Sequence, residues 1–453
     1  MTLALALESV RAHCELHLPG DPGYDAARAP WNIAVDQRPA AVAVPTGVEQ
    51  VAAVVRAATA AGLRIAPQST GHGAGPLAEV ALDDVVLLRL SQFTGVTVDP
   101  VARTARVLGG TLWQEVLAAA APHGLTALHG SAPDVAVAGY ILSGGLSFYG
   151  RAHGVAANSV RAFEVVLHDG TVAHASATEN PELFWALRGG GGNLGVVVAI
   201  DIELLPYADV FAGMLLWDRS RAAEVVPAWV RWTETVPESA TTSLRVMSFP
   251  PLPELPPFLS GRDIVVIDGA ILESDEVAAD LLAPLRALTP EVDTFGRIPA
   301  QALVEVHMDP PAPTPAVGDH SVLGPLDVEA VAAFLDRVGD GTASGLMFAE
   351  LRHLGGAIAR PDANGGALSH IPGEYALLCV AVAPTPQAAV AGKAAGFAVV
   401  RAMAPWSLPH LVATFAENRV DSGRLFDGED WARLSQLRDT VAPGSVFVAN
   451  HAL

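Results

Sequence analysis

Apolar residues at Val48, Val51, Val55 and Ala58 keep helical spacing, which predicts a helix with one buried face. Thr46 stands at its start with Glu49 three residues on, the order of a capping box, and Gly62 follows as a stop. Leu63–Pro67 then reads as a short strand. Val85–Leu90, Ala105–Val107 and Phe163–His168 read as further strands, each near a Gly, Asp or Pro turn signal. Thr111–Ala121 is a second predicted helix, with Trp113, Val116 and Leu117 on its apolar side. Strands and helices alternating in this way over the first 205 residues predict an α+β domain with helices packed on sheets.

The pattern shifts after Pro206. Phe249–Pro257 and Asp309–Pro315 are Pro-rich and predict rigid connectors. Between and after them lie strand-like runs at Asp263–Leu272, Leu346–Leu354 and Tyr375–Val382. Ala-rich helical patterns cover Arg221–Trp232, Ser274–Ala287, Val328–Val338 and Pro386–Ala402. This predicts a second domain, a large antiparallel sheet covered by helices.

Composition narrows the class. The 453 residues are 51% apolar and 17% charged, against roughly 25% charged in an average globular chain. That is enough to bury a large core and excludes global disorder. The net charge of −21 argues against general binding to nucleic acid or anionic membranes. Two cysteines, Cys14 and Cys379, make neither a disulfide framework nor a Cys-rich metal site, and no metal is expected. The N-terminus lacks a basic region, and no apolar run approaches the roughly 20 residues of a membrane helix. A soluble, cytoplasmic protein is the expectation.

Gly190–Gly195 matches G-x-G-x-x-G in the wrong context: the run before it, Pro181–Arg188, looks helical, and Val196–Leu205 looks like a strand. Walker A, nucleophile-elbow and zinc motifs are absent. Two other Gly-rich segments stand out. Pro67–Gly75 places glycines at 71, 73 and 75, which would let the backbone approach an anion such as a pyrophosphate; a tight turn with a surface His72 has the same pattern. His129–Arg151 carries small residues at nearly every other position. That suits either a planar cofactor or a close helix–sheet contact.

These residues resemble a known family. Arg38-Pro39-Ala40-Ala41-Val42, Ser69-Thr70-Gly71-His72, and Val135 through Gly144-Gly145 look like the FAD-binding (PCMH-type) domain of the vanillyl-alcohol oxidase superfamily. The closer resemblance is to its berberine-bridge-enzyme-like branch, which includes 6-hydroxy-D-nicotine oxidase. Arg151…Gly154…Asn158, Pro181–Gly191, Asn193–Val197, Leu354–Ala359 and Trp431…Asn450-His451 continue the match in order. It implies a two-subdomain FAD-binding domain over 1–205, a substrate domain over 206–408, and a C-terminal segment, 409–453, returning to the FAD domain.

The resemblance also assigns residues. FAD would be held by Gln68, Ser69, Thr70, Gly71, His72, Gly73, Gly130, Ser131, Val135, Gly139, Gly144, Gly145, Gly154, Asn158, Gly195, Val197 and Asn450. His72 occupies the slot of the histidine that bonds the flavin 8-methyl group. Ala132 stands where many relatives carry a second, cysteinyl link, so any attachment runs through His72 alone. Val135 occupies a position that influences oxygen access and is oxidase-like when small. Val412 and Thr414 replace the Tyr and Asn of a Tyr-x-Asn-Phe segment, so a base must come from elsewhere or none is used. Period-2 alternation in Leu346–His353 puts Glu350 and Arg352 on one face and His353 on the other. All three are candidates, although a Glu350–Arg352 surface pair has the same spacing. His307, Tyr140 and His370 are secondary candidates.

The expectation is an FAD-dependent oxidase taking hydride from a C–H next to O or N of a hydrophobic alcohol or amine, with O2 reduced to H2O2. A dehydrogenase with another acceptor, or a flavoprotein that sequesters a drug-like compound, would share the fold.

Overall fold

A computed structural model describes residues 3–251, 253, 256 and 258–453. Leu252, Glu254, Leu255 and Pro257, in the first Pro-rich segment, lie outside the described residues, so the connector reading there is left where the sequence put it.

Three sheets organise the chain. The first has four strands in the order Glu15–His17, Ala41–Val44, Val85–Arg89, Arg64–Gln68; the last three run parallel. The second is antiparallel and has five strands: Val96–Asp99, Thr104–Leu108, Val196–Glu203, Val160–Val166 and Val172–Ser176. The third is antiparallel and has eight. Its main path runs Val292–Asp293, Asp209–Asp218, Asp263–Ile271, Ala240–Ser248, Phe348–His353, Tyr375–Val382, Ala316–Leu323, with Gly296–Pro299 pairing beside Asp209–Asp218. The predicted α+β class and the large antiparallel sheet are both present.

The helix Val48–Ala60 forms where the periodicity placed it, and Val51, Val55 and Ala58 are fully buried. Its start differs from the expected capping box. Gly47 is the N-cap, and Gln50 Oε1 accepts the Thr46 N–H at 2.8 Å, a reach one residue longer than Glu49 would make. The second predicted helix spans Trp113–Ala120, where Glu115 accepts the Leu112 N–H at 2.8 Å.

The eight-stranded sheet has two chemically different faces. One carries Leu215, Trp217, Leu244, Val265, Ile267, Leu351 and Cys379 against the helices Ala222–Thr233, Asp275–Arg286, Val328–Val338 and Pro386–Ala402. Alternation sends Arg245, Asp268, Glu350, Arg352 and Leu378 to the opposite face. That face meets the first two sheets.

Long-range hydrogen bonds join the parts. Arg151 donates from Nε to the Ala240 carbonyl at 2.8 Å and from Nη1 to the Leu354 carbonyl. Asn32 Nδ2 donates to the Ala316 carbonyl at 2.9 Å, and its Oδ1 accepts the Ala316 N–H at 3.1 Å. Near the C-terminus, Val448 N donates to Ile65 O and Ile65 N to Val446 O, both at 2.8 Å, laying that segment beside the first sheet. Among the described residues no helix is long and apolar enough to cross a membrane.

Trp229 is fully buried between its helix and the sheet, with Nε1 donating to Thr242 Oγ1 at 3.0 Å. Trp229→Ala is expected to cost about 3–5 kcal/mol of unfolding free energy, because it removes apolar burial and leaves a cavity. Urea denaturation checks this; a loss below about 1 kcal/mol would mean the helix layer repacks freely.

Candidate functional site

One cavity of about 420 Å³ lies where the three sheets meet. Glycine-rich backbone forms one wall: residues 67–73 at the end of strand Arg64–Gln68, residues 130–139, and residues 189–195 before strand Val196–Glu203. The opposite wall is the polar face of the eight-stranded sheet, with Met347, Phe348, Leu378 and Val380 around Glu350 and Arg352. Residues 413–417 and the terminal stretch 448–451 close the sides.

Most residues assigned to the cofactor reach this cavity. Gln68, Ser69, Thr70, Gly71, His72 and Gly73 line it at the first turn, and Gly130, Ser131, Val135 and Gly139 along the second segment. Gly195, Val197 and Asn450 complete that set. Gly71 adopts φ +80°, and a Cβ there would sit 2.7 Å from Pro30 Cβ, so the turn excludes side chains on both conformational and steric grounds. Ser69 Oγ donates to the Gly109 carbonyl at 2.9 Å and Asn450 Nδ2 to the Gly73 carbonyl at 2.5 Å, fixing the turn from either side.

Four assigned residues do not line the cavity. Gly144 and Gly145 have positive φ and pack closely against Leu368 and the Tyr140 ring. Gly154, at φ +83°, ends the helix Gly150–His153. Asn158 Nδ2 donates to the Ser369 carbonyl at 2.8 Å. In this structure these four support the wall rather than form it.

The catalytic candidates separate by face. Glu350 and Arg352 line the cavity and are 0% and 8% exposed, so they are not a surface pair. His353 points the other way. Its Nε2 meets Arg151 Nη1 at 2.6 Å, and its ring stacks on Tyr375. Burial, then the Arg151 charge, pushes its pKa well down, so it is a neutral acceptor at the junction of the sheets, away from the cavity lining.

Glu350 belongs to a cluster the sequence did not disclose. Its Oε1 accepts from Arg352 Nε at 2.7 Å. His307 Nδ1 lies 3.0 Å from Asp268 Oδ2, and its Nε2 lies 3.7 Å from Glu350 Oε2. Arg245 donates to Asp268 at 2.5 Å. Arg352 Nη2 also comes to 3.3 Å from His307 Nε2. Burial and Arg245 pull the His307 pKa down, but Asp268, Asp309 and Glu350 outweigh them and carry it up to about 9. Burial would raise the Glu350 pKa; Arg352, His307 and Arg245 override it and hold the carboxyl well below the usual range. Glu350 Oε2 is left without a hydrogen-bond partner.

Tyr140 lines the cavity, but its OH donates to the Leu146 carbonyl at 2.5 Å, and burial pushes its pKa far up. His370 lies outside the cavity, near Asp427. Val412 is fully buried and does not line the cavity, whereas Ala413, Thr414 and Phe415 do. Cys14 and Cys379 are free thiols and neither lines it.

A second group that motif reading missed surrounds His72. The Trp31 ring stacks on the imidazole at 4.2 Å and 19°. Trp31 Nε1 donates to Asp134 Oδ2 at 2.5 Å, and His72 Nε2 lies 3.3 Å from Asp134 Oδ1. Burial opposes ionisation of Asp134, but His72 and Trp31 prevail and lower its pKa. Arg89 ties this corner together by donating to the carbonyls of Ala27, Ala29 and Ser69. Asp134 lay within a segment noted for its small residues, but nothing in that spacing signalled its partners.

The residues fit a dinucleotide. Glycines at 71, 73, 130 and 195 line the cavity, and the backbone at 71, 130 and 195 packs so closely on Pro30, the Tyr140 ring and Val165 that no side chain fits there. Among the described lining residues the sole arginine is Arg352, on the far wall, and no lysine is present; a pyrophosphate here would be met by backbone N–H groups.

Comparison with known proteins agrees. Residues 39–176 match the FAD binding domain family. The chain is 31% identical over 240 residues to glucooligosaccharide oxidase of Sarocladium strictum, covering 52% of this chain and 48% of that protein. It is 34% identical over 205 residues to (R)-6-hydroxynicotine oxidase of Paenarthrobacter nicotinovorans, covering 45% and 44%. The chain thus spans about half the length of the curated relatives it matches. Across nearly the whole chain its fold is that of BBE-like 1 of Physcomitrella patens, with TM-score 0.84, 20% identity, and coverage of 99% and 98%. The fold likewise matches 6-hydroxy-D-nicotine oxidase of Arthrobacter nicotinovorans, with TM-score 0.81, 22% identity, and 96% of each chain.

The folded state holds the His307 proton more tightly than the unfolded chain does. Its contribution to stability is therefore complete below its unfolded-state value of 6.5 and is lost as the pH climbs through about 9. The melting-temperature gap between wild type and His307→Gln should be widest near pH 6 and should narrow above about pH 9. A gap constant across that range would show that His307 is not held protonated.

Proposed function

We propose that this protein, an FAD-binding-domain protein with the berberine-bridge-enzyme-like fold, is an FAD-dependent oxidase. It would remove hydride from a C–H next to O or N of a hydrophobic alcohol or amine and pass the electrons to O2, giving H2O2. One observation carries this reading: a glycine-backbone wall faces a sheet wall on which Met347, Phe348, Leu378 and Val380 surround the buried Glu350–Arg352 pair. When bound, FAD would supply the hydride acceptor and the route to oxygen.

The chain's own groups do the rest. Met347, Phe348, Leu378, Val380, Phe415 and Phe426 exclude water and receive an apolar substrate. The Glu350–Arg352 pair on the cavity wall meets the substrate O–H or N–H and so aligns the adjacent C–H. The depressed Glu350 pKa suits a hydrogen-bond acceptor better than a strong base, and an amine bound in neutral form needs no base to lose hydride. Relatives include oligosaccharide oxidases and (R)-6-hydroxynicotine oxidase. The apolar lining supports a compact hydrophobic substrate of the second kind. Val135 on the cavity wall supports oxygen access. His72 on the same cavity, with Ala132 in the cysteinyl slot, supports a single covalent link through His72.

Alcohols, amines and hydroxylated aromatics should be screened for bleaching of the flavin without oxygen, followed by admission of oxygen and a peroxide assay. Recovery of the oxidised spectrum within seconds is expected; recovery over many minutes would overturn the oxidase reading. With any active compound, Glu350→Gln should lower kcat/KM by about 100-fold or more, and an unchanged value would remove Glu350 from the substrate's contacts. Acid-denatured wild type should stay yellow and His72→Ala should release its flavin. Colour lost from denatured wild type would refute the covalent link but not FAD binding.

A further inference from the structure

We infer that Asp134 is a positioning residue for flavin attachment: together with Trp31 it fixes the His72 imidazole in the tautomer that can bond the flavin. The inference rests on the His72 link proposed above.

The geometry is a three-part clamp. Trp31 Nε1 donates to one oxygen of Asp134, and the other oxygen faces His72 Nε2 at 3.3 Å. The indole also lies flat against the imidazole, 4.2 Å between ring centres, which limits the ring's tilt. Trp31 is itself anchored by its N–H to the Thr70 carbonyl at 2.9 Å, two residues before His72. Nε2 is buried and has no aligned hydrogen-bond partner. Asp134 Oδ1 is the carboxylate oxygen that faces it. Asp134 is outside the cavity lining whereas His72 and Trp31 are part of it, so the carboxylate reaches the imidazole from behind.

A neutral imidazole carries one proton on one of two nitrogens, and the partner of one nitrogen decides the state of the other. An ionised carboxylate can only accept. It therefore selects Nε2–H and leaves the lone pair on Nδ1, the nitrogen free to attack. Attachment exchanges one C–H of the 8-methyl group for a C–N bond to Nδ1. The methyl and the imidazole each give up a proton, and the ring system takes up two electrons with both protons. O2 removes them as H2O2, which restores the oxidised ring and closes the balance.

The test follows attachment in time. Flavin-depleted full-length protein is given FAD under air, and samples are denatured at intervals and read for flavin fluorescence in the protein band. Asp134→Asn keeps the shape but offers an amide that can donate to Nε2 and drive the proton to Nδ1. It should slow attachment by about 100-fold or more, the scale on which a mis-set imidazole tautomer fails elsewhere. FAD affinity before attachment and melting temperature should match wild type, which a merely structural role would not allow. Asp134→Glu should recover part of the rate, and Trp31→Phe, which keeps the stacking but loses the N–H, should fall between. Attachment of Asp134→Asn at the wild-type rate would overturn the clamp alone. Absence of attachment in wild type under the same conditions would overturn the His72 link itself, and the clamp with it.

Discussion

The structure depends on burying a set of paired charges at the cavity face of the large sheet. Arg245, Arg352 and protonated His307 are buried with Asp268 and Glu350, and half-buried Asp309 lies near enough to favour the His307 charge. Removing any single buried member would leave its partner charged in a low-dielectric site, a cost of about 3–5 kcal/mol in comparable pairs. The set is therefore kept whole or not at all. That cooperative requirement keeps Glu350 ionised, with Oε1 on Arg352 and Oε2 turned towards His307.

Strand alternation made half of this legible. Phe348–His353 reads as a period-2 run, and its polar residues 350 and 352 fall on one face. The same rule put His353 on the opposite face, yet nothing in the local sequence tells which face meets a cavity and which meets Arg151. That choice is made by register: Arg245 pairs with Glu350 and Ser243 with Arg352 on one neighbour, and Ser243 with Asp268 on the next strand. These residues are up to 109 positions apart. A lone carboxylate in a strand cannot announce cations that reach it only through two sheet registers.

The glycine wall was more legible, because a positive φ or a close backbone approach leaves a mark at a single position. Gly71 and Gly195 are such marks. At Gly144, Gly145 and Gly154 a positive φ goes with close packing and a helix end away from the cavity lining. Glycine reports that the backbone must be bare. It does not report whether a ligand or a neighbouring side chain, such as the Tyr140 ring, requires it.

The two walls divide the work that an acidic protein would otherwise do badly. A chain with net charge −21 repels a pyrophosphate at long range, and screening over about 10 Å at 0.1 M salt only softens this. Backbone N–H groups supply local positive potential without adding a titratable charge. The ionisable groups Glu350 and Arg352 are gathered on the opposite wall. Ser131 on the glycine side donates to Asp309 at 2.8 Å, and both residues line the cavity. Because the Asp309 charge also helps hold the His307 proton, this bond links the glycine side to the charge state of the cluster.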